Sequence, residues 1–348
     1  MRLYRDHHHA GLSAASAVAI GNFDGVHLGH QALLRQARAC AGEGVEHPVA
    51  GLPSGSETAL VPHAPAVEVA VVTFEPLPRA FFAPAAAPPR LAGPADKLRR
   101  LRAHGVDLTW MLRFNGALAG LSAEAFVENV LVRGLAARFV VIGGDFRFGR
   151  GREGDLQTLR DLGRRHGFET VAVAAVEQDG LRISSTAIRA ALAAGELDRA
   201  EAMLGRPYTV TGRVIRGRQL GRELGYPTAN LRPWGGSTPL SGVFAVRART
   251  RAGQGSDSAS GQDRTPAPGP WRDGVASVGV RPAVGGGEPL IEVHLFDFDG
   301  DLYGRQLETR FVERLRGEEN FDNLGALVAQ MKKDESEARA VLAAAVAE

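Results

Sequence analysis

Two stretches of the sequence gather residue types suited to phosphate chemistry. In the first, Gly21-Asn22-Phe23-Asp24-Gly25-Val26-His27-Leu28-Gly29-His30, two imidazoles stand three residues apart between an apolar run and a helical pattern. Backbone N–H groups at a helix start carry partial positive charge, and Gly29 has no side chain to block close approach, so this loop favours an anion such as a triphosphate. The histidines have two competing uses, capping of the helix and ligation of zinc. Cys40 is a poor third zinc ligand and no HExxH pattern is present. Later, Ser184-Ser185-Thr186 precede a helical pattern carrying Arg189. Hydroxyls, N–H groups and a guanidinium at one helix N-terminus can donate to phosphate oxygens, while a capping box would explain the hydroxyls without any ligand.

The second stretch, Gly212 to Asn230, strings Gly217, Gly221 and Gly225 among arginines and ends Pro227-Thr228-Ala229-Asn230. No GxxxxGK[ST] sequence is present, so an ordinary P-loop is excluded. A glycine flap can still wrap phosphates with its backbone. Thr228 and Asn230, two apart on an extended segment, point to the same side and offer oxygens suited to Mg²⁺. The plainer reading is a set of turns between strands. In Leu290-Ile291-Glu292-Val293-His294-Leu295, alternation puts Glu292, His294 and Phe296 on one face, and a lone strand carboxylate is usually solvated. Two other motifs are refused. Gly149-Arg150-Gly151-Arg152-Glu153-Gly154 spells GxGxxG but trails its strand by several residues and lacks an acidic partner. Asp297-Phe298-Asp299-Gly300-Asp301 is similar to a calcium loop, but Leu295 and Gln306 would occupy ligand positions that require carboxylates, so a hairpin tip is expected.

His27-Leu28-Gly29-His30 resembles the HxGH signature of the nucleotidyltransferase superfamily. The string from Gly21 resembles the opening of bacterial bifunctional riboflavin kinase/FAD synthetases, and Arg182-Ile183-Ser184-Ser185-Thr186-Ala187-Ile188-Arg189 resembles that family's RISSTxIR element. The resemblance implies ATP contacts at Gly21, Phe23, Asp24, Gly29, Asp145, Ser184, Ser185 and Thr186. It implies catalytic roles for His27, His30 and Arg189, and a flavin side at Phe74, Pro76, Pro78 and Arg79 within Thr73-Phe74-Glu75-Pro76-Leu77-Pro78-Arg79. Leu77 stands where the family usually has His. The run ending at Asn230 is similar to the riboflavin kinase PTAN signature, implying ATP at Gly217 and Gly221, Mg²⁺ at Thr228 and Asn230, and Glu292 as the base for the ribityl hydroxyl. Ala283 replaces the family's usual Thr. Arg310 to Arg316 and Asn320-Phe321 resemble closing elements, with Arg316 on the flavin side. ATP, riboflavin and FMN are the implied substrates. Rival readings are a nucleotidyltransferase for another acceptor, such as pantetheine phosphate or nicotinamide mononucleotide, and a non-catalytic flavin-sensing module.

These side chains need two frameworks to hold them. Val18–Ile20, Val67–Phe74 and Arg138–Ile142 read as strands alternating with helices at Gln31–Ala41 and Ala95–Ala103, which predicts a Rossmann-like α/β domain with a parallel sheet. Helices at Thr186–Ala194 and Leu197–Leu204 end at Gly205-Arg206-Pro207, where the domain boundary is set: residues 1–204 for adenylyl transfer and 205–348 for the kinase. Beyond it, Tyr208–Ile215, Gly242–Arg249, Val275–Val280 and Leu290–Phe298 predict a mainly-β barrel or sandwich, followed by an amphipathic helix with Leu324, Leu327, Val328 and Met331 on one face. Gly42–Ala66 reads as an insertion loop and Thr250–Pro270 as a disordered hairpin extension.

A chain of 348 residues with 44% hydrophobic content can bury two cores. Its 41 Lys and Arg against 39 Asp and Glu leave +2, without the basic excess of a nucleic-acid binder. Arg2 and Arg5 before Ala14–Ile20 superficially suggest a signal peptide, but the run is short and flows into the Gly21 motif, so a first strand is expected. No stretch approaches the apolar length of a membrane helix. Cys40, the single cysteine, fits a reducing compartment. The expectation is a cytoplasmic monomer or weak homo-oligomer that binds neither nucleic acid nor membrane.

Overall fold

Continuous apolar runs such as Val69–Val72 and Val140–Ile142 suit strands covered on both faces, and such strands build parallel sheets. In the computed structural model, which describes residues 1–5, 10–42, 66–217, 221, 224–251, 267–280 and 289–345, they do so. Two compact units divide the chain, Met1–Pro88 with Lys97–Ile183, and Pro89–Asp96 with Ser184–Glu348.

The first unit holds a six-stranded parallel sheet of β1 (Arg2–Tyr4), β2 (Ser16–Ile20), β3 (Glu68–Glu75), β4 (Leu108–Arg113), β5 (Ala137–Gly143) and β6 (Glu169–Val173), in the order β1-β4-β3-β2-β5-β6. Alternation along each strand feeds two cores. Val18, Ile20, Val72, Trp110 and Val140 join one, and Ala17, Ala19, Val71 and Val141 join the other with Leu33, Leu34, Ala37 and Cys40 of the helix Leu28–Gly42. β2 lies between β3 and β5, so the chain leaves its C-terminal end where the strand order reverses. Open parallel sheets bind ligands at such a switch point, and here it delivers Gly21–His30. A two-stranded hairpin, β7 (Glu177–Gln178) and β8 (Leu181–Arg182), follows β6.

After Pro89–Asp96, the second unit continues with the helices Ser185–Ala194 and Leu197–Leu204, each stopped by a left-handed glycine, Gly195 and Gly205. A closed antiparallel barrel follows: β9 (Thr209–Ile215), β10 (Ala229–Leu231), β11 (Gly242–Arg251), β12 (Arg272–Val280), β13 (Pro289–Leu295) and β14 (Gln306–Arg316), in the order β10-β13-β12-β11-β14-β9. Its interior takes Leu231, Phe244, Val246, Val278, Ile291, Val293, Leu307 and Phe311. The C-terminal helix Leu324–Ala344 packs outside, burying Ala338 and Leu342 against Ala245 and Phe296.

Two sequence expectations need correction. Leu324 is 57% exposed, and the packed stripe of the C-terminal helix runs instead through Leu327, Met331, Asp334, Ala338 and Leu342, because Leu324 lies in the first turn, before the helix meets the barrel. The Asp297–Asp301 segment is not a hairpin tip: β13 and β14 are not neighbours in the barrel, so it belongs to a crossing connection. There Asp297 accepts two hydrogen bonds from Arg339, at 2.9 and 3.1 Å. Thr250–Pro270 does join antiparallel neighbours, β11 and β12, though 252–266, like 43–65 of the earlier insertion and Ala283, lies outside the described residues. No described helix is long and apolar enough to cross a membrane.

Candidate active sites

The loop from Gly21 to His30 is built tightly. Gly21 N–H bonds the Val72 carbonyl at 3.1 Å, and a Cβ at Gly21 would come within 3.3 Å of the Phe23 ring. Phe23 and Val26 adopt φ of 48° and 44°, a region unfavourable to bulky side chains, and both are fully buried. Asp24 and His27 are buried as well. His27 Nδ1 accepts from the His30 N–H at 3.4 Å, so the capping use of one histidine is realised. The two imidazoles stack with centroids 3.7 Å apart, and a Cβ at Gly29 would press on the His27 ring at 3.1 Å. Nδ1 of His30 is buried without a hydrogen-bond partner among the described residues. Burial, then His27 and Lys97, hold the His30 pKa well below the ordinary imidazole value, so the ring is neutral near pH 7.

Sequence reasoning missed Lys97. Its side chain is fully buried under this loop, and its Nζ donates to the Asn22 carbonyl at 2.9 Å and to Thr73 Oγ1 at 3.3 Å. The available signal was its spacing, four residues before the buried Leu101 on one helix.

The other residues of this half are spread over neighbouring strand ends. Phe74 is buried near the end of β3 and meets Phe114 edge-on, 5.8 Å between centroids, and Phe114 in turn meets Phe81 and Phe82. Pro76 and Arg79 are exposed, Pro78 is half-buried, and Leu77 is buried ahead of the short helix Pro78–Phe82. Asp145, just past β5, is exposed and pairs with Arg182 at 2.7 Å. In the second unit, Ser184 caps its helix by accepting from the Ala187 N–H at 3.1 Å, Ser185 and Thr186 fill the first turn, and Arg189 Nε donates to the Pro89 carbonyl. The refused GxGxxG has a packing role: a Cβ at Gly149 would lie 2.7 Å from Ala123 N, and Glu153 accepts from that N–H at 2.8 Å.

The barrel brings its candidates together. Asn230 on β10 stands directly opposite Glu292 on β13, which stands opposite Ser277 on β12, so the three form a row across one face. Glu292 is half-buried and lines a cavity of about 290 Å³ with Thr228, Ser277, Arg316, Leu327 and Met331. Thr228 and Asn230 also border a second cavity of about 750 Å³, with Arg216, Asp299 and Tyr303. Asn230 is buried and donates its amide to the Thr228 carbonyl at 3.5 Å, leaving the amide oxygen on the opposite edge. A Cβ at Gly217 would fall 2.6 Å from Asn230 Nδ2, and one at Gly221 would fall 2.3 Å from the Tyr226 carbonyl, so the glycine flap closes onto this motif only without side chains. His294 Nδ1 donates to the Pro227 carbonyl at 2.9 Å and steadies the same turn.

Arg316 is held by a residue that sequence reasoning did not single out. Asp334 receives its Nε at 2.9 Å and Nη2 at 2.8 Å, and accepts from Gln330 at 2.8 Å. This bidentate bond raises the Arg316 pKa further. The signal for Asp334 was its phase with Leu327, Met331 and Ala338 on the helix.

Comparison with known proteins follows this division. Residues 204–342 match the riboflavin kinase family model, and residues 11–50 and 56–187 match that of FAD synthetase. A bifunctional riboflavin kinase/FMN adenylyltransferase of Pseudomonas fluorescens is 43% identical over 345 residues, 99% of this chain and 98% of the relative. One from Escherichia coli (strain K12) is 39% identical over 322 residues, 92% of this chain and 91% of the relative. A crystal structure described as a macrolide-efflux protein from Streptococcus pneumoniae superposes with a TM-score of 0.73 at 28% identity, covering 97% of this chain and 99% of that one. Whole-length identity, two matching family models and a parallel sheet followed by a closed barrel place this chain in the bifunctional riboflavin kinase/FMN adenylyltransferase family.

Proposed function

We propose that the chain phosphorylates riboflavin to FMN within residues 205–348 and transfers AMP from a second ATP to FMN within residues 1–204, giving FAD and pyrophosphate. One observation carries the kinase half: Glu292 faces Asn230 across the ladder, and Thr228 borders the cavities on either side of them. The cavity beside Glu292, with Leu290, Leu327 and Met331, suits the flavin and is also lined by Gly221, while the Thr228–Asn230 side, with Arg216, suits ATP, whose phosphates Gly217 and Gly221 serve by family likeness. Glu292 takes the proton of the ribityl 5′-hydroxyl as that oxygen attacks the γ-phosphorus and ADP leaves. Arg316, fixed by Asp334, borders the flavin. The hydroxyl and amide oxygens of Thr228 and Asn230 fit a hard cation, and Mg²⁺ held there would neutralise phosphate charge.

In the adenylyl transfer, an FMN phosphate oxygen attacks the α-phosphorus and pyrophosphate leaves. That nucleophile is ionised at neutral pH, so a general base is unnecessary and the work is charge stabilisation. His27 and His30, with Ser184, Ser185, Thr186 and Arg189 by family likeness, serve the phosphates, while Gly21, Phe23, Asp24, Gly29 and Asp145 frame ATP. Phe74, Pro76, Pro78 and Arg79 serve the flavin side. The proposed setting is cytoplasmic, as a monomer or weak homo-oligomer, which the lone buried thiol of Cys40 suits.

The test is chromatography of FMN and FAD after incubation with riboflavin, ATP and Mg²⁺. Wild type should form both, and His30→Ala should stop at FMN with phosphorylation near wild type. Loss of both activities in a folded His30→Ala variant would refute the division.

A further inference from the structure

Lys97 is an ammonium where an apolar side chain would fill the space with less desolvation cost. It is fully excluded from solvent on the helix Pro94–Ala103, in phase with the equally buried Leu101. Two of its hydrogen bonds converge on one spot. The Asn22 carbonyl accepts from Lys97 Nζ at 2.9 Å and from Thr73 Oγ1 at 3.1 Å, and Lys97 also reaches Thr73 Oγ1 at 3.3 Å. Asn22 immediately precedes Phe23, where the backbone enters the unfavourable left-handed region, with Val26 there again before the histidines. Strained turns persist only when their surroundings hold them.

We propose that Lys97 is a positioning residue of the adenylyl-transfer site: it holds the Asn22 carbonyl against the end of β3 and thereby sets the strained turn that carries His27 and His30. The inference rests on reading Gly21–His30 as that site. A hydrogen bond from a charged donor is stronger than a neutral one, which suits it to hold a strained backbone. The same charge disfavours protonation of His30. His30 therefore meets a phosphate as a neutral N–H donor, while the positive field comes from beneath the loop.

Lys97→Met keeps the length of the side chain and removes the donor. In the full chain, FMN adenylylation should fall by about 10²-fold, the loss typical of a site displaced by about 1 Å, while the same preparation phosphorylates riboflavin within twofold of wild type. The His30 titration, followed by NMR of its ring, should move up towards the ordinary imidazole value, which a purely space-filling role would not cause. A folded Lys97→Met variant that makes FAD within threefold of the wild-type rate, or loses rate with the His30 titration unmoved, overturns the proposal. Should Lys97→Met not fold, Thr73→Val removes one anchor of the same carbonyl and should slow adenylylation at least threefold, and an unchanged rate there also overturns it. His30→Ala serves as reference. If it still makes FAD, the site reading falls and this inference with it, whereas a silent His30→Ala beside an active Lys97→Met refutes Lys97 alone.

Discussion

A carboxylate on an alternate position of a strand ordinarily meets water, yet Glu292 is half-buried because it lines a cavity shared with Leu327 and Met331 of the C-terminal helix. Its amide analogue keeps the shape and can still accept a hydrogen bond, but it cannot take a proton. Glu292→Gln should therefore lower the kinase kcat by roughly 10²- to 10⁴-fold, with riboflavin and ATP affinities much less changed. FMN supplied directly should still become FAD. Steady-state rates for both substrates check this, and a near-wild-type kinase would make Glu292 a structural strand residue. At this scale the two histidines were singled out by a short string of unusual composition, whereas the proposed Glu292 came only from the family likeness, since by itself it reads as a solvated strand carboxylate. Lys97 and Asp334 were not legible, because a charged residue in a helix reads as solvated until its partner is known, and the partners, Asn22 and Arg316, are distant in sequence.

Among the elements, alternation and helical periodicity found β2, β3, β5 and the two helices before Gly205, since burial on both sheet faces leaves unbroken apolar runs. They missed β1, whose three residues are too few to show a period, together with β4, β6, β10 and β14, and they carried the packed face of the C-terminal helix one turn too far towards its N-terminus, to Leu324. The crossing from β13 to β14 was hidden for a different reason: barrel order is set by pairing between distant strands, which local pattern does not encode. The flap against β10 shows how closely such elements meet. Gly217→Ala would set a methyl group 2.6 Å from Asn230 Nδ2 and 3.0 Å from its Oδ1, and Asn230 is buried in the strand and cannot readily swing aside. The kinase rate should drop about 10- to 100-fold, as expected for a displaced catalytic group, without loss of FAD formation from FMN. A Gly217→Ala variant with full kinase activity would show that the flap yields instead of Asn230.

Over the whole molecule, every residue proposed for the kinase lies beyond Gly205, while the second unit begins earlier, at Ser184, apart from Pro89–Asp96. The helix Leu197–Leu204 buries Leu197, Ala200, Met203 and Leu204, and it packs on β14. Arg314 of β14 donates to the Ala194 carbonyl at 3.4 Å, and its side chain runs so close to Gly195 that no Cβ would fit. A fragment Gly205–Glu348 keeps the barrel, both cavities and the C-terminal helix, so it should fold and make FMN but no FAD. A fragment Ser184–Glu348 should do the same with greater stability. Covering β14 with even one large apolar side chain is worth about 1.5–3 kcal/mol, and for a fragment of this size each kcal/mol moves Tm by about 2–4 °C. The longer fragment should therefore melt at least several degrees higher by calorimetry. Equal melting temperatures would show that the two helices add nothing to the barrel. FAD formation by either fragment would place adenylyl transfer outside the Gly21–His30 loop, since both lack it. An inactive but folded shorter fragment beside an active longer one would move the functional boundary from Gly205 back to Ser184.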